Sequence, residues 1–336
     1  MRDITNYNLL KHNTFGIEAC CDRFVEFCSE AELRSVLPLT SAEGRLLVIG
    51  GGSNLLLTGD YHGTVMRSAI KGIQVVAGMD GCHVRCGSGE NWDDVVNFCV
   101  EQGIYGAENL SFIPGDVGAS AVQNIGAYGV EVKDFIERVE AIEISTGEKY
   151  TFTNADCQYS YRYSRFKADW RGRFIITYVT YRLSNTFVPK LDYGNIRSAL
   201  AAKGIIHPTA QQLRQIIIDI RRDKLPDPKV EGNGGSFFMN PIVDRAKYEE
   251  LATLYPDMPH YAVDAGREKI PAGWMIEQCG WKGRSLGRAG VHNKQALVLV
   301  NRGGATGQEI VTLCDTIRRD VKEKFGIDIR PEVNII

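Results

Sequence analysis

The spacing of apolar residues predicts a series of short strands and helices in the first part of the chain. Trp92, Val95 and Val96 recur at helical spacing within residues 91–99. A second helix is predicted from Ser29, because serine favours the N-cap position. Short apolar runs predict strands at residues 23–28, 45–49, 64–66, 73–76, 83–86, 139–144, 149–152 and 174–183.

The second part of the chain contains two longer amphipathic patterns. Residues 209–223 predict a helix that stops at Leu225-Pro226-Asp227-Pro228, since proline does not continue a helix. Residues 307–324 predict the last helix, with apolar side chains along one face. The mixed segment 185–208, followed by the proline stop, is the best candidate for a domain junction.

Composition restricts the class of protein. At 336 residues the chain suggests two or three domains. A net charge of -2 gives no electrostatic case for binding nucleic acid or an anionic membrane. No stretch approaches the roughly 20 apolar residues that span a bilayer, and the N-terminus lacks a signal core. We therefore expect no nucleic-acid partner and no membrane association.

The cysteines indicate a reducing compartment. There are 9 of them, an odd number, without a Cys-x-x-Cys pair or zinc-ligand spacing. Several lie in apolar runs, where thiols act as small core residues. The sequence therefore predicts a cytoplasmic protein without a metal site.

Residues 50–54 form the first of three glycine-rich segments, Gly-Gly-Gly-Ser-Asn, directly after a predicted strand. Consecutive backbone N–H groups of this kind form a concave site for phosphate oxygens. A tight structural turn explains the segment equally well. It completes neither G-x-G-x-x-G nor G-x-x-x-x-G-K-[ST], so a Rossmann domain or a P-loop ATPase is not supported.

The second segment, residues 114–129, has four glycines, three alanines and one charged residue. Small residues let a backbone press against a flat ligand, while Ser120, Gln123 and Asn124 supply neutral hydrogen-bonding groups. A tightly packed helix–loop crossing is the alternative. We favour ligand contact.

The third segment, residues 232–241, places Ser236 between glycines and Phe237-Phe238. It has no G-x-S-x-G elbow and no histidine within ten residues, so a serine hydrolase is disfavoured. A hydroxyl without an activating base suits hydrogen bonding or proton donation. A serine that caps a turn is the common structural alternative.

Three further polar residues are ambiguous when read alone. Arg162, between two tyrosines, is typical of an arginine that stacks on a ring or pairs with a carboxylate. Lys224 stands at a helix end, where compensation of the helix dipole explains a basic residue. A lone histidine such as His292 is more often structural than catalytic, and it stays unassigned.

In order and spacing, these segments resemble the UDP-N-acetylenolpyruvoylglucosamine reductases, flavoenzymes of bacterial peptidoglycan synthesis. A tyrosine loop at 191–195 is similar to the form of the family that covers its substrate with such a loop. The resemblance spans nearly the whole chain and is carried by residues 50–54, 114–129, 161–164, 224–228, 232–241, 295–301 and 331–333.

The resemblance implies an α+β fold, with a two-lobed FAD-binding domain of the PCMH/vanillyl-alcohol-oxidase type and a C-terminal α+β substrate-binding domain. The first FAD lobe would comprise residues 1–69 with 326–336, and the second 70–203. The substrate domain would be 204–325, and the PCMH-type region about 17–184. The strand after the last helix would return to the first lobe, and a monomer is expected.

The resemblance also assigns binding residues. FAD would be held non-covalently by Gly50, Gly51, Gly52, Ser53, Asn54, Leu55, Pro114, Gly115, Gly118, Ala119, Ser120, Gln123, Asn124, Gly126, Ala127 and Tyr128. Contacts to the diphosphate and sugar of the substrate would come from Tyr193, Lys224, Asn240 and Gln295. The resemblance thus implies a functional role for Lys224, binding of the substrate, in addition to its structural role at a helix end.

The implied reaction has two steps. NADPH, the co-substrate, reduces FAD; UDP-N-acetylglucosamine enolpyruvate then occupies the same cleft and receives hydride from flavin N5. By the resemblance, Arg162 and Glu332 bind and polarise the substrate carboxylate, with Glu332 protonated or sharing a proton. Ser236 matches the donor that protonates the resulting carbanion, giving UDP-N-acetylmuramate.

One position departs from the family pattern, and two other functions remain open. Family members often have a basic residue two positions after the glutamate, where this chain has Asn334. The alternatives are another non-covalent flavin oxidoreductase of the same fold and a non-catalytic nucleotide-sugar-binding protein. Residues 50–54 and 114–129 contain no histidine or cysteine to tether a flavin, which favours non-covalent FAD.

Overall fold

The computed structural model describes residues 1–42, 44–79 and 81–336. The chain divides into two compact units. Unit 1 contains Met1–Tyr7, Cys21–Gly51 and Tyr61–Asp223, and unit 2 contains Asn8–Cys20, Gly52–Asp60 and Lys224–Ile336.

Most of the strands and helices are short, and a few helices are longer. The strands are β1 (Arg2–Asn8), β2 (Cys20–Phe27), β3 (Leu46–Ile49), β4 (Leu55–Leu56), β5 (Tyr61–Ser68), β6 (Ile73–Gly78), β7 (Gly81–Gly87), β8 (Gly126–Ala127), β9 (Val130–Glu131), β10 (Ile136–Glu143), β11 (Lys149–Thr153), β12 (Phe174–Leu183), β13 (Gly232–Ser236), β14 (Ile242–Asp244), β15 (Tyr261–Asp264), β16 (Arg267–Lys269), β17 (Ser285–Leu286), β18 (Ala289–Val291), β19 (Val298–Asn301) and β20 (Asn334–Ile335). The helices are α1 (Glu30–Ala42), α2 (Trp92–Glu101), α3 (Val117–Gln123), α4 (Ile196–Ala202), α5 (Ala210–Lys224), α6 (Arg245–Leu254), α7 (Ala272–Gln278) and α8 (Gly307–Phe325).

Unit 1 is built on two main sheets. One has the strand order β1-β2-β5-β3, with β2 and β3 both parallel to β5. The other is antiparallel, with the order β11-β10-β12-β7-β6. Helix α1 packs with both, because Leu33 and Val36 share a buried cluster with Val25 of β2 and Ile142 of β10.

Helices α2 and α3 cover the antiparallel sheet of unit 1. Trp92 of α2 meets Tyr181 of β12 edge to face, with 5.6 Å between ring centroids. Val117 and Ala121 of α3 belong to the same buried cluster. This packing fixes the glycine-rich segment 114–129 against a rigid sheet.

Unit 2 has a central antiparallel sheet of order β13-β19-β18-β17, a small sheet of order β14-β16-β15 and the parallel pair β20-β4. Helix α8 contacts β18 and β19 and buries Ile310, Leu313 and Ile317. Thr306 caps its first turn by accepting from the Glu309 N–H, and Gly326 ends it at φ 69°.

The predicted helices and strands are confirmed, most with boundary shifts of a few residues. Residues 209–223 correspond to α5, 307–324 to α8 and 91–99 to α2. The sequence analysis did not single out the small sheet β14-β16-β15 or helices α4, α6 and α7. The pairing of β20 with β4 places the end of the chain beside residues 55–56. The division into three domains stays a prediction.

Membrane-spanning helices are absent from the described residues: none of the helices there is both long and apolar enough to cross a bilayer.

A substitution at Gly307 tests the packing of α8. An alanine usually stabilises a helix relative to glycine, but a Cβ at residue 307 would lie 1.9 Å from the Leu57 carbonyl oxygen. We therefore expect Gly307→Ala to lower the free energy of unfolding by about 1–3 kcal/mol, measured by urea denaturation. Gly59→Ala, whose Cβ would meet nothing within 4 Å, is the control. Equal stability of the two variants would contradict this account.

The contribution of Glu140 to stability is predicted to depend on pH. Arg85 donates from Nε at 2.6 Å and Lys149 Nζ lies 2.7 Å away, and together they lower the pKa of the Glu140 carboxyl to about 2. Its contribution is therefore complete above the unfolded-state pKa of 4.5 and is lost as the pH falls towards 2. Glu140→Gln should cost on the order of 2–3 kcal/mol at pH 7.

Urea unfolding of Glu140→Gln at several pH values measures this dependence. The difference from the unmodified protein should shrink steadily between about pH 5 and pH 3. Glu323→Gln serves as the control, because the Glu323 side chain is 71% exposed and lies 4.0 Å from its partner Arg319. A difference for Glu140→Gln that stays constant over this range would refute the linkage.

Candidate FAD and substrate site

The two segments predicted to hold FAD lie against each other in unit 1. A Cβ added to Gly51 would stand 3.2 Å from the Gly115 Cα, and one added to Gly50 would stand 3.1 Å from the Ala119 Cβ. Glycine at positions 50 and 51 thus permits a close approach of two backbones. The structure joins segments that are more than 60 residues apart in sequence.

The remainder of the first glycine-rich segment belongs to unit 2. Gly52 has φ 68°, and a Cβ there would lie 2.0 Å from the His12 carbonyl oxygen. The Gly52 carbonyl accepts from the Thr14 N–H at 3.1 Å. Because C=O and N–H of a trans peptide point in opposite directions, the Ser53 N–H points away from Thr14. This orientation is what a backbone anion site requires.

Asn334 also anchors this segment. Its backbone N–H and its Nδ2 both donate to the Asn54 carbonyl, at 3.1 and 3.0 Å. The position where the family often has a basic residue therefore carries a side chain that fixes the loop backbone.

The polar side chains of residues 114–129 differ in their hydrogen-bond partners. Ser120 is buried and donates to the Val117 carbonyl at 2.7 Å. Asn124 is fully buried and donates to Glu131 and to the Ser160 carbonyl. Both side chains stabilise unit 1 itself, and their predicted contact with FAD stays a prediction.

Gln123 stands apart from these two residues. Its Oε1 is buried and has no hydrogen-bond partner among the described residues. A buried acceptor without a donor is costly unless a ligand or water supplies one. Gln123 is therefore the side chain of this segment whose hydrogen bonding most directly indicates a bound ligand.

Arg162 is presented by a tight turn of unit 1. Ser160 and Tyr163 exchange two backbone hydrogen bonds, and Arg162 between them has φ 55°. A non-glycine residue in this region is uncommon and strained. Arg162 donates from its guanidinium to the Gly126 carbonyl at 2.9 Å. The predicted catalytic arginine thus lies beside a predicted FAD-binding residue.

The tyrosine loop lies beside the same segment. A Cβ on Gly129 would be 3.3 Å from the Tyr193 Cβ. Asn109 joins the two pieces, because its Nδ2 donates to the Tyr128 carbonyl at 2.9 Å and to the Lys190 carbonyl at 3.0 Å. Asn109 is 3% exposed. The sequence does not reveal this role, since an asparagine in a short 3-10 helix gives no signal of its distant partners.

Arg221, near the end of α5, makes a contact outside its own helix. Its Nε donates to the Phe112 carbonyl at 3.1 Å. Burial raises the pKa of Tyr128 and lowers that of Arg221. The contact with Phe112 ties helix α5 to the residues just before the predicted FAD segment.

Asp116 and Arg67 are charged residues that the sequence analysis did not assign. Asp116 is 6% exposed. Its Oδ1 would lie 3.5 Å from a Cβ added to Gly51. Burial raises the pKa of Asp116, while Arg67, 3.6 Å away, opposes this shift. Their closeness to the first glycine-rich segment depends on sheet pairing and leaves no local sequence signal.

Ser236 and Glu332 are brought together in unit 2. Ser236 ends β13 and pairs with Val298 of β19. The Glu332 N–H donates to the Phe237 carbonyl at 2.7 Å. One main-chain hydrogen bond therefore connects the residue after Ser236 with Glu332, although they are almost 100 positions apart.

The predicted substrate residues of unit 2 include a pair at the start of α7. Asn240 Oδ1 accepts from the Ala272 N–H at 2.9 Å, and Gln295 Oε1 would be 3.2 Å from a Cβ at Gly273. The Asn240 side chain thus has a structural contact of its own, and the predicted contact of both residues with the substrate stays a prediction. Lys224 is exposed at the end of α5.

His292, left unassigned by the sequence, belongs to a polar network of unit 2. Its Nδ1 lies 3.1 Å from Glu231, whose other oxygen accepts from Arg302. The histidine is thus a partnered residue next to the strand that carries Ser236.

The fold and the segments above define an FAD-binding oxidoreductase of the α+β class. Residues 21–153 match the family described as "FAD binding domain". Residues 227–336 match the family described as "UDP-N-acetylenolpyruvoylglucosamine reductase, C-terminal domain". The predicted fold class and the predicted cofactor, FAD, are confirmed.

The chain belongs to the UDP-N-acetylenolpyruvoylglucosamine reductase family. A relative of that name from Bacteroides fragilis (strain YCH46) is 54% identical over 331 residues, covering 98% of this chain and 99% of its own. One from Porphyromonas gingivalis (strain ATCC 33277) is 48% identical over 333 residues, covering 98% of each. The solved reductase of that name from Thermus caldophilus, at 20% identity, supports the fold with a TM-score of 0.66 over 99% of this chain and 98% of its own.

The residues present fit an FAD site. Gln123 offers a buried acceptor that lacks a partner among the described residues. In residues 50–52 the backbone packs so closely that a Cβ would be tight at Gly50 and Gly51 and would clash at Gly52. FAD is therefore consistent with the chemistry of both segments.

Gly51 tests whether the close approach of the two segments matters for FAD. In Gly51→Ala the added Cβ pushes against the Gly115 backbone, so the segments must separate by a few tenths of an ångström. We expect FAD to bind about tenfold more weakly, equivalent to 1.4 kcal/mol, as measured by flavin fluorescence titration. Gly59→Ala is the control. An unchanged FAD affinity in Gly51→Ala would argue against this role of the spacing.

Proposed function

We propose that this protein reduces UDP-N-acetylglucosamine enolpyruvate to UDP-N-acetylmuramate with NADPH as the co-substrate. The observation that carries the proposal is identity of 54% over nearly the full length of a reductase named for this activity. The link between the residue after Ser236 and Glu332 supports it, since the reaction needs a proton donor and a polarising group near each other.

FAD would be held by residues 50–55 and by the segment 114–128. When bound, it supplies the hydride for the enol ether after taking a hydride from NADPH. Gln123 Oε1 supports an orienting hydrogen bond to a donor of the cofactor. The carbonyls of Gly52 and Asn54 are already occupied by Thr14 and Asn334, which keeps the loop backbone in one conformation.

Arg162 and Glu332 would act on the substrate carboxylate. Negative charge develops there and on the neighbouring carbon during reduction, and positioned donors or cations stabilise such charge most effectively when they are already in place. The turn of residues 160–163 and the contact with Gly126 hold the Arg162 side chain in advance.

Ser236 would donate the proton that completes the reaction. A neutral serine is a weak acid, but the carbanion it meets is strongly basic, so the transfer is favourable. No general base is needed to activate the hydroxyl. Tyr193, Lys224, Asn240 and Gln295 would bind the diphosphate and the sugar, with Lys224 exposed and able to reach a phosphate.

The setting of the reaction is also part of the proposal. NADPH and the sugar nucleotide would use the same cleft in turn. A cytoplasmic location is expected from the cysteine usage, and a monomer is the expected form.

Ser236→Ala should separate the two half-reactions. Without the hydroxyl, reoxidation by the enolpyruvyl substrate should slow by about 10²-fold or more, while NADPH reduces the flavin at nearly the original rate. Stopped-flow absorbance of the flavin measures each step under anaerobic conditions.

Ser285→Ala is the matched control for this experiment. Ser285 lies on β17 of the same sheet and is exposed. Both half-reactions should be unchanged in this variant. Equal impairment of the two steps in Ser236→Ala would rule out its role as proton donor.

A further inference from the structure

We propose that Asn233 is a positioning residue that sets the location of the Ser236 hydroxyl. The inference rests on the proposed role of Ser236 as proton donor. Asn233 is 3% exposed and stands three positions before Ser236 on β13. It does not touch the reacting atoms in this proposal and acts through the backbone that leads to Ser236.

All hydrogen-bonding groups of Asn233 have partners in unit 2. Its Oδ1 accepts from the Gly235 N–H at 2.9 Å, and its Nδ2 donates to the Glu231 carbonyl at 2.8 Å and the Pro226 carbonyl at 3.3 Å. Its backbone is held as well: the Thr14 hydroxyl donates to the Asn233 carbonyl at 2.6 Å. Asn233 therefore fixes the backbone that precedes it, at Pro226 and Glu231, and the backbone that follows it, at Gly235.

These bonds surround an irregularity in the strand pairing. Asn233 pairs with Val300 and Ser236 pairs with Val298, so three steps along β13 correspond to two along β19. One residue is thus inserted, as in a β-bulge. Gly235 within it has φ 70°, a conformation that glycine adopts without strain.

The bulge decides which face of the sheet Ser236 occupies. Side chains alternate between faces along a strand, so residues three apart normally lie on opposite faces. Since Val298 and Val300 are two apart on β19, the inserted residue puts Ser236 on the same face as Asn233. Loss of the bulge would turn the hydroxyl to the other face.

The same backbone leads on to Glu332. Phe237 donates to the Leu297 carbonyl at 2.7 Å and accepts from the Glu332 N–H at 2.7 Å. A shift of the bulge would therefore move the proton donor relative to this pairing. Displacement of a reacting group by about 1 Å costs roughly 10²-fold in rate.

The alternative is that Asn233 only satisfies buried carbonyls and contributes to stability. The two roles differ in what they predict for the half-reactions. A purely structural residue would lower stability and affect both steps alike, or neither. A positioning residue would affect the step that uses Ser236.

The experiment measures both half-reactions of the FAD-loaded enzyme by stopped flow in Asn233→Ala. We expect reoxidation by the enolpyruvyl substrate to slow by about 10–100-fold and NADPH reduction of the flavin to stay within about twofold. The solvent deuterium isotope effect on reoxidation should rise, because proton delivery limits the rate; a loss of stability alone would not change it. Equal slowing of both steps, or no slowing, overturns the proposal.

A double-mutant comparison tests whether Asn233 acts through Ser236. In the Ser236→Ala background, adding Asn233→Ala should slow reoxidation by less than about twofold, since no hydroxyl remains to be positioned. Full additivity of the two effects overturns the inference. If Ser236→Ala alone is as fast as the unmodified enzyme, the proposed role of Ser236 fails and the inference with it. A slow Ser236→Ala with an unaffected Asn233→Ala removes only the positioning role.

Two further variants complete the design. Asn154→Ala is the matched control, because Asn154 Nδ2 also donates to two backbone carbonyls, those of Lys133 at 2.8 Å and Ile136 at 2.9 Å, within unit 1. It should leave both half-reactions unchanged. If Asn233→Ala does not fold, Asn233→Ser takes its place, because a serine hydroxyl reproduces this turn more weakly. Its reoxidation should be several-fold slower with flavin reduction intact, and equal rates overturn the proposal.

Discussion

The main-chain hydrogen bonds of the last seven residues hold together the parts of unit 2 that are proposed to carry its chemistry. Arg330 accepts from the Met239 N–H, Glu332 donates to the Phe237 carbonyl, and Asn334 donates to the Asn54 carbonyl. These bonds connect the segment after Ser236 with the first glycine-rich segment. Because backbone geometry leaves little freedom in such pairing, the C-terminal segment sets the spacing of both.

The glycines of the first glycine-rich segment permit close packing of backbones. Gly50 and Gly51 permit contact with residues 115–119, and Gly52 permits contact with His12. Each peptide can direct its carbonyl to one side and its N–H to the other, so the close packing of these backbones is compatible with the proposed contact to a ligand.

Each of the two units contains buried polar groups that organise loops. Asn109, Asn124 and Asn233 each use a side-chain amide to bind backbone carbonyls of segments that are irregular in conformation. An amide inside the protein is costly unless its donors and acceptor are satisfied, and a satisfied one rigidifies its surroundings. Preorganised loops of this kind suit a reaction in which donors must be in place before charge develops.

The sequence by itself determined the helices and strands with strong periodicity, the three glycine-rich segments and the family, because these depend on local residue order. Through resemblance it also singled out Ser236, Arg162 and Glu332, whose roles stay predictions. Only the tertiary structure decided which groups meet: Arg162 with Gly126, Arg221 with Phe112, and Glu332 with Phe237. The physical reason is that sheet pairing and close glycine packing join residues far apart in sequence, and no local pattern encodes those partners.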